Sequence, residues 1–415
     1  MEKWIAEKIG VFQLTQENLR NYQLQKINET VNYAAANSAF YKKLFADSKL
    51  PVNDWQTFTD LPFTTAADIQ KQGTKLVCVP QEEIFRIVTL HTSGTTDKPK
   101  RIYFTADDQE LTVDFFDNGM QTLTEKGDNV LILLPAKTPG CVGDLLAKGL
   151  ERFGAVPHRF GVPQNFAETL QYMADNNINA VVANPEHMLA LACLAKQNQM
   201  RINLKSILLS TDFLAESLLQ RLTKNFNTKV FEHYGLTETG LGGGVSCLAL
   251  QGYHLREADL YFEIIDPQTG ENLPDGTWGE IVFTTLTRKA MPLIRYRTGD
   301  YGRFLTEPCA CGSVLRRLDK VLHRLEKKGV SLFKITDFDE AVFSIDNIFN
   351  YDLTVNSAEK KLILTVYCLT EPKKAKSETA ERIANLTHGY NTEINVAVGF
   401  APKHYMLQKR QINSL

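Results

Sequence analysis

Nine consecutive residues, Thr92-Ser93-Gly94-Thr95-Thr96-Asp97-Lys98-Pro99-Lys100, carry hydroxyl side chains, a glycine and lysines in close succession. This composition suits a phosphate. Glycine lets the backbone approach an anion without a Cβ clash, hydroxyl and N–H groups donate to its oxygens, and lysine adds a point charge. No second glycine directly precedes a Lys-Ser/Thr pair, so the spacing is not that of a Walker loop and a different nucleotide chemistry is indicated. Two further constellations follow. Glu232-His233-Tyr234-Gly235-Leu236-Thr237-Glu238 joins an aromatic face, which suits a purine, to a carboxylate, which suits a hard cation that prefers oxygen ligands. Arg295-Tyr296-Arg297-Thr298-Gly299-Asp300 ends on a carboxylate whose two oxygens can accept a pair of hydroxyls. Each also has a plain structural alternative: a solvated Ser/Thr/Gly turn, a strand ending at Gly235, and an aspartate closing a glycine turn.

Taken in this order, the three segments resemble the signature motifs of the adenylate-forming superfamily: acyl-CoA synthetases, aryl-CoA ligases, luciferases and peptide-synthetase adenylation domains. The resemblance implies activation of a carboxylate by ATP to an acyl-adenylate with loss of pyrophosphate. It assigns Thr92, Ser93, Gly94, Thr95, Thr96 and Lys100 to ATP phosphates, and Glu232, His233, Tyr234 and Gly235 to the nucleotide, with Tyr234 stacking on adenine. Thr237 would meet the α-phosphate, Glu238 the magnesium ion, and Asp300 both ribose hydroxyls. Residues 34–41 (AAANSAFY), 60–65 (DLPFTT) and 286–297 (LTRKAMPLIRYR) are similar to the phenylacetate-CoA ligase branch in particular. That similarity runs to about residue 335 and weakens beyond.

The elements that must hold these residues are legible in outline. Residues 129–134 (NVLILL), 179–183 (NAVVA), 206–210 (SILLS) and 229–231 are short β-branched or leucine-rich runs, separated by segments long enough for helices. Such a pattern predicts buried parallel strands with crossover helices, and ligands in these sheets sit at the carboxyl ends of the strands. Ser210, Thr211 and Asp212 follow one such strand, where the superfamily contacts adenine. The acyl pocket is expected from Gly140, Gly143, Asn184, Gly235 and Gly240. The glycines at 240 and 242–244 could admit a flat ring against the backbone, or serve a tight turn instead.

Seven cysteines, an odd number with no secretory signal, argue against a disulfide framework and for a reducing compartment. Cys309 and Cys311 form a C-x-C-G knuckle, and Cys247 and His254 lie upstream. Three thiolates and an imidazole can complete a tetrahedral zinc shell, although a separation of some sixty residues does not show that the pairs meet. Several members of the phenylacetate-CoA ligase branch carry a similar knuckle with an upstream Cys…His pair, which implies a closed, structural zinc site here. Cys78, Cys141, Cys193 and Cys368 sit in apolar runs and read as core thiols.

At 415 residues, a net charge of −2, 23% charged and 43% hydrophobic residues, the chain has room for more than one core and an ordinary soluble balance. No basic stripe suggests nucleic acid, and the longest apolar run is far too short to cross a bilayer. Residues 1–14 read as an amphipathic helix packed on the body rather than a signal peptide, so a cytoplasmic enzyme is expected. The fold expected is α/β: a large N-terminal adenylate-forming domain (1–320) with mostly parallel and mixed sheets flanked by helices, then a small mobile α+β lid domain (321–415). In that lid, strand-like runs at 351–355 and 361–369 precede a helix at 378–386 and a further run at 393–400.

The resemblance departs from its family at the lid. The hinge motif, usually Gly-Arg-x-Asp-Asp, corresponds to residues 319–323 (DKVLH), so its arginine becomes Lys320, a point charge in place of a planar fork. The adenylation lysine, usually in a Gly-Lys pair, is assigned to Lys409 with Lys403 second. The expected partners are a small carboxylic acid, aryl or arylacetic by preference, ATP, Mg²⁺ and CoA. A carrier protein, an amine or a cofactor carboxylate as acceptor, or a nucleotide-binding paralogue with impaired catalysis, stand as alternatives, and a homodimer is left open.

Overall fold

The computed structural model describes residues 1–90, 99–321, 323–324, 333–407 and 410–414. The chain divides into two compact units, Met1–Thr122 with Glu232–Leu325, and Leu123–Phe231 with Glu326–Leu415. Thr92, Ser93, Gly94, Thr95, Thr96 and Lys409 fall outside the described residues.

In the first unit, Thr15 caps the helix Gln16–Asn37 in a reciprocal capping box with Asn18. The N-terminal helix, expected over residues 1–14, stops at Ile9 because Gly10 turns left-handed at φ 76° and donates back to the Ala6 and Glu7 carbonyls. Arg86–Leu90 and Lys100–Phe104 pair antiparallel, with Lys100 facing Leu90. A four-stranded antiparallel sheet follows, ordered Leu260–Ile265, Gly279–Thr285, Tyr296–Gly302 and His323–Arg324. Tyr41, Phe58, Phe262, Phe283 and Tyr296 are fully buried in its core. The strand Tyr296–Gly302 alternates strictly, which turns Tyr296, Thr298 and Asp300 to the buried face and Arg297, Gly299 and Tyr301 to the other.

The second unit carries the predicted parallel strands. Ser206–Leu209, Ala180–Ala183, Asn129–Ile132 and Val156–His158 lie side by side, all parallel. The helices Val142–Arg152, Phe166–Asp175 and Pro185–Gln197 connect them, and Glu216–Phe226 follows the last strand of the series. The first two strands are buried at every position, as sheets covered on both faces require. Residues after 333 add a second sheet in the same unit: Asn391–Val398 runs parallel to Lys361–Cys368, which pairs antiparallel with Ile348–Asn356, itself parallel to Ile412–Ser414. The helices Ile335–Phe343 and Pro372–Ile383 complete it. The second of these begins well before the 378 expected, with its proline at the first turn where a missing N–H costs nothing. Buried Arg221 ties Glu216–Phe226 to this segment by donating to the Phe343 and Ile348 carbonyls at 2.9 and 2.8 Å.

Of the cysteines read as core thiols, Cys78, Cys193 and Cys368 are buried, whereas Cys141 is only half-buried. Its run of apolar neighbours misleads because Cys141 is the N-cap of Val142–Arg152, with its thiol donating to the Pro135 carbonyl at 2.9 Å. Among the described residues no helix is long and apolar enough to cross a membrane.

Candidate active site

Lys100 opens the second strand of the antiparallel pair, and its ammonium pairs with the Glu238 carboxylate. Both side chains are almost fully buried. The Tyr296 hydroxyl donates to the same carboxylate at 3.1 Å. Burial by itself would raise the Glu238 carboxyl, but the Lys100 charge and hydrogen bond overcome it, helped by Tyr296, and hold the group below its ordinary range. Glu238 is thus a buried anion at neutral pH. It sits in a tight turn, in which the Leu236 N–H bonds Thr239 Oγ1 and the Gly240 N–H bonds the Thr237 carbonyl, with Thr237 half-buried beside it. Arg288 locks that turn from behind, donating to the Glu238 carbonyl at 2.6 Å while its guanidinium lies 5.0 Å over Phe104. Burial pushes the Arg288 guanidinium down to about 10.

The residues assigned to adenosine form a second group in the same unit. The Tyr234 hydroxyl donates to Asp300 at 3.1 Å, and both residues are buried. Tyr253, 6.1 Å from Tyr234 between ring centroids, donates its hydroxyl to Glu232 at 3.4 Å. The Lys320 ammonium stands 3.8 Å from the same Glu232 carboxylate. Glu232, Tyr234, Asp300 and Lys320, read from three separate motifs, therefore come together around Tyr253. Sequence reasoning assigned no role to Tyr253, Arg288 or Tyr296; strand alternation from Asp300 back to Tyr296 was the available signal for the last.

The glycine run has packing duties. A Cβ on Gly242 would stand 2.2 Å from the Phe115 ring, and one on Gly235 would stand 2.5 Å from the Leu241 carbonyl oxygen. The ring admitted at Gly242 is thus one of the chain's own. His233 packs beside Phe115 and Phe116, at 6.0 and 6.4 Å, and burial pushes its imidazole down to about 4, so it is neutral at pH 7. At Gly240, with φ +77°, a side chain would meet the Arg288 guanidinium at 2.9 Å.

The other predicted contacts belong to the second unit. Asn184 caps the helix Pro185–Gln197, its Oδ1 accepting from the Glu186 N–H at 2.9 Å, and its Nδ2 donates to Thr211 Oγ1 at 3.0 Å. Thr211 takes φ +89°, a strained value for a β-branched residue and one typical of functional loops. Asn184, Ser210, Thr211 and Asp212 thus lie together at the carboxyl ends of adjacent parallel strands. Asp212 accepts the Arg410 backbone N–H at 3.2 Å and faces the Arg410 guanidinium at 3.5 Å. Gly140 turns at φ +73° and donates to Asp144 at 2.8 Å, and Gly143 lies against the backbone of Pro135 and Ala136, where a Cβ would stand 2.7 Å from an oxygen. Lys403 is engaged by Asp352 and, at 2.7 Å, by the Tyr367 hydroxyl.

Cys247, His254, Cys309 and Cys311 converge, their ligand atoms all within 4.8 Å of one another. The Cys247 and Cys309 sulfurs are 3.6 Å apart, and Cys311 Sγ is 3.3 Å from His254 Nε2. A tetrahedral zinc shell with Zn–S of about 2.3 Å and Zn–N of about 2.0 Å has edges of about 3.5–3.8 Å, within a few tenths of an ångström of these two separations, so the donor set fits such an ion. Pairing of Arg317 with His254 brings the strand after the knuckle beside the histidine, and Gly312, at φ +81°, closes the turn by donating to the Cys309 carbonyl at 2.9 Å.

A fold of this kind, with Lys100–Glu238 and Tyr234–Asp300 paired in its first unit, is that of an adenylate-forming enzyme. The backbone superposes on 2-hydroxyisobutyryl-CoA ligase, solved in the postadenylation state with R3-HIB-AMP, with a TM-score of 0.79 over 93% of this chain and 88% of that one, at 18% identity. Residues 22–286 match the AMP-binding enzyme family. The chain is 30% identical to phenylacetate-coenzyme A ligase of Pseudomonas putida over 80% of its own length and 76% of that protein's. It is 28% identical to the phenylacetate-coenzyme A ligase of Aromatoleum evansii over 95% and 91%. The chain belongs to the AMP-binding enzyme family, in its phenylacetate-CoA ligase-like branch.

Proposed function

We propose that this protein is an ATP-dependent, AMP-forming acid–thiol ligase, which activates a carboxylic acid as its acyl-adenylate and transfers the acyl group to CoA. The observation that carries the reading is Glu238, a buried carboxylate kept ionised by Lys100 and Tyr296 in the same unit as the buried Tyr234–Asp300 pair. Its relatives named phenylacetate-coenzyme A ligase support the same chemistry and favour an aryl or arylacetic acid.

In this reading Asp300 accepts the ribose hydroxyls, Tyr234 meets the adenine, and the loop 92–96 with Thr237 donates to the phosphates. Glu238 is the carboxylate that would hold magnesium, which when bound neutralises charge on the phosphate oxygens. Lys100, at the end of the loop, adds its charge to the same oxygens. The substrate carboxylate then attacks the α-phosphorus and pyrophosphate leaves; in the second half-reaction the CoA thiol attacks the acyl carbon and AMP leaves. Neither step needs a covalent enzyme intermediate, so the protein's work is alignment and electrostatics. We assign adenylation to Lys409 over Lys403, whose ammonium is already held by Asp352 and Tyr367. Residues 321–415 act as the small domain that reorients between half-reactions. We further assign a structural zinc ion to Cys247, His254, Cys309 and Cys311, a closed shell that leaves no open position for catalysis. Unpaired cysteines fit a cytoplasmic setting.

Incubating the protein with ATP, magnesium, CoA and a panel of aryl, arylacetic and short aliphatic acids tests the proposal. Acid-dependent release of AMP with formation of the matching thioester is expected. AMP release without a thioester would move the acceptor away from CoA.

A further inference from the structure

Arg288 is a buried cation outside the contacts assigned to ATP, and it touches both sides of the Lys100–Glu238 pair. Its Nη1 donates to the Glu238 carbonyl at 2.6 Å, and its guanidinium lies 5.0 Å over Phe104, the residue that ends the strand Lys100 opens. The far end of the Glu238 turn is held by the helix Ala106–Met120, where Thr112 Oγ1 donates to the Gly240 carbonyl at 2.8 Å. That helix also fixes the segment carrying Arg288. Asp108, which shares the helix's capping box with Thr105, accepts the Lys289 and Ala290 N–H groups at 2.7 and 2.9 Å.

A carboxylate serves a metal ion well only when its oxygens are aimed, and groups that touch no metal set that aim by holding the ligand. Bonds inside the turn, from the Leu236 N–H to Thr239 Oγ1 and from the Gly240 N–H to the Thr237 carbonyl, shape it locally. They do not tie it to the strand of Lys100. Arg288 supplies that tie, and its bond is a strong one, since an ionised donor meets a buried carbonyl. Although burial pushes the guanidinium down to about 10, Asp108 and Glu238 oppose the fall, so it is charged at neutral pH. Gly240 makes the approach possible, because a Cβ there would stand 2.9 Å from Nη2.

We infer that Arg288 is a positioning residue for the magnesium-dependent step of adenylation: bonded to the Glu238 carbonyl and stacked on Phe104, it sets the direction of the Glu238 carboxylate relative to Lys100. The inference rests on the adenylation reading given above. Arg288 acts only through Glu238, with Thr112 securing the other end of the same turn. Its loss therefore raises the demand for magnesium and spares the Tyr234–Asp300 pair assigned to adenosine.

The test compares Arg288→Met, which keeps an apolar stem against Phe104 and removes the donor, with Arg288→Lys and Thr112→Val. Two quantities are read on the folded proteins. One is the magnesium concentration that gives half-maximal acid-dependent exchange of labelled pyrophosphate into ATP, at a fixed ATP concentration; the other is the affinity for AMP without magnesium, by titration calorimetry. Arg288→Met should raise the magnesium midpoint about tenfold, as losing a group that orients a metal ligand does, while AMP affinity changes by less than about twofold. Arg288→Lys keeps a charged donor without the plane and should recover part of the loss. Thr112→Val should raise the midpoint about threefold, the worth of one neutral hydrogen bond. A merely structural Arg288 would lower the melting temperature and leave the midpoint in place. A wild-type midpoint in folded Arg288→Met, or equal losses of magnesium response and AMP affinity, overturns the inference. Should Arg288→Met fail to fold, Thr112→Val decides by the same criterion. A wild-type protein with no magnesium-dependent exchange for any acid instead overturns the adenylation reading and the inference with it, whereas variants that match an active wild type overturn the inference alone.

Discussion

Replacing Lys100 by methionine removes the cation from Glu238 and keeps most of the stem's volume. Both side chains are nearly fully buried, and the Tyr296 hydroxyl remains as a partner at 3.1 Å. Breaking a buried pair by deleting one partner costs about 3–5 kcal/mol, because the remaining charge is stranded. Glu238 limits that cost by taking up a proton, so about 3 kcal/mol is expected at neutral pH. For a domain of this size about 1 kcal/mol shifts the melting temperature by about 2–4 °C, giving a fall of about 6–12 °C at pH 7.5. The pH dependence has a definite sign. In the wild type the Glu238 carboxyl is held below its unfolded value, so its contribution is present above about pH 4.3 and is lost as pH falls through the folded value. In the variant the unpaired, buried carboxyl is raised instead, and stability is lost as pH climbs past about 4.3. The gap between the two melting curves should therefore be smallest near pH 4 and widen toward pH 7.5, and adding Glu238→Gln should recover much of it. Scanning calorimetry across that range checks this. Equal melting at pH 7.5, or a deficit of the same size at both ends, would refute the stranded-charge argument.

Other expectations follow from the same geometry. Asp300→Asn should weaken ATP binding about 100-fold by titration calorimetry, since two hydrogen bonds to a charged acceptor are worth about 1.5–3 kcal/mol each and the amide keeps part of them. Gly242→Ala should lower the melting temperature, its Cβ meeting the Phe115 ring at 2.2 Å at a typical overpacking cost of about 1–3 kcal/mol, and a second change, Phe115→Leu, should restore part of it. Elemental analysis should find one zinc per chain, and Cys309→Ser should lose the metal together with thermal stability while ATP binding by the surviving folded protein persists.

The branch of the family was legible in its motifs. Asp300, Glu238 and Tyr234 were picked out by their motifs through a resemblance, and the structure pairs Tyr234 with Asp300 and Lys100 with Glu238; four metal-type ligands could be grouped across some sixty residues only because the same resemblance paired them. The parallel strands were legible too, since runs such as AVVA and SILL are buried on both faces and carry no polar alternation to obscure them. Roles that depend on packing were not. The glycines at 235 and 242 looked like room for a ligand, yet one lies against a backbone carbonyl and the other against Phe115, a residue more than a hundred positions earlier. Asp212 read as a nucleotide contact, and its partner Arg410 is almost two hundred residues away, beyond any local pattern. Tyr296 was within reach, because alternation along its strand puts it on the face of Asp300.

The central claim is that ATP is held so that a carboxylate can displace pyrophosphate from it. The most direct measurement is incorporation of labelled pyrophosphate into ATP, with magnesium, in the presence and absence of an arylacetic acid and before any CoA is added. The account predicts incorporation that requires both the acid and magnesium and that collapses in Asp300→Ala. Incorporation independent of any acid, or none with any acid while the folded wild type binds ATP, would contradict it.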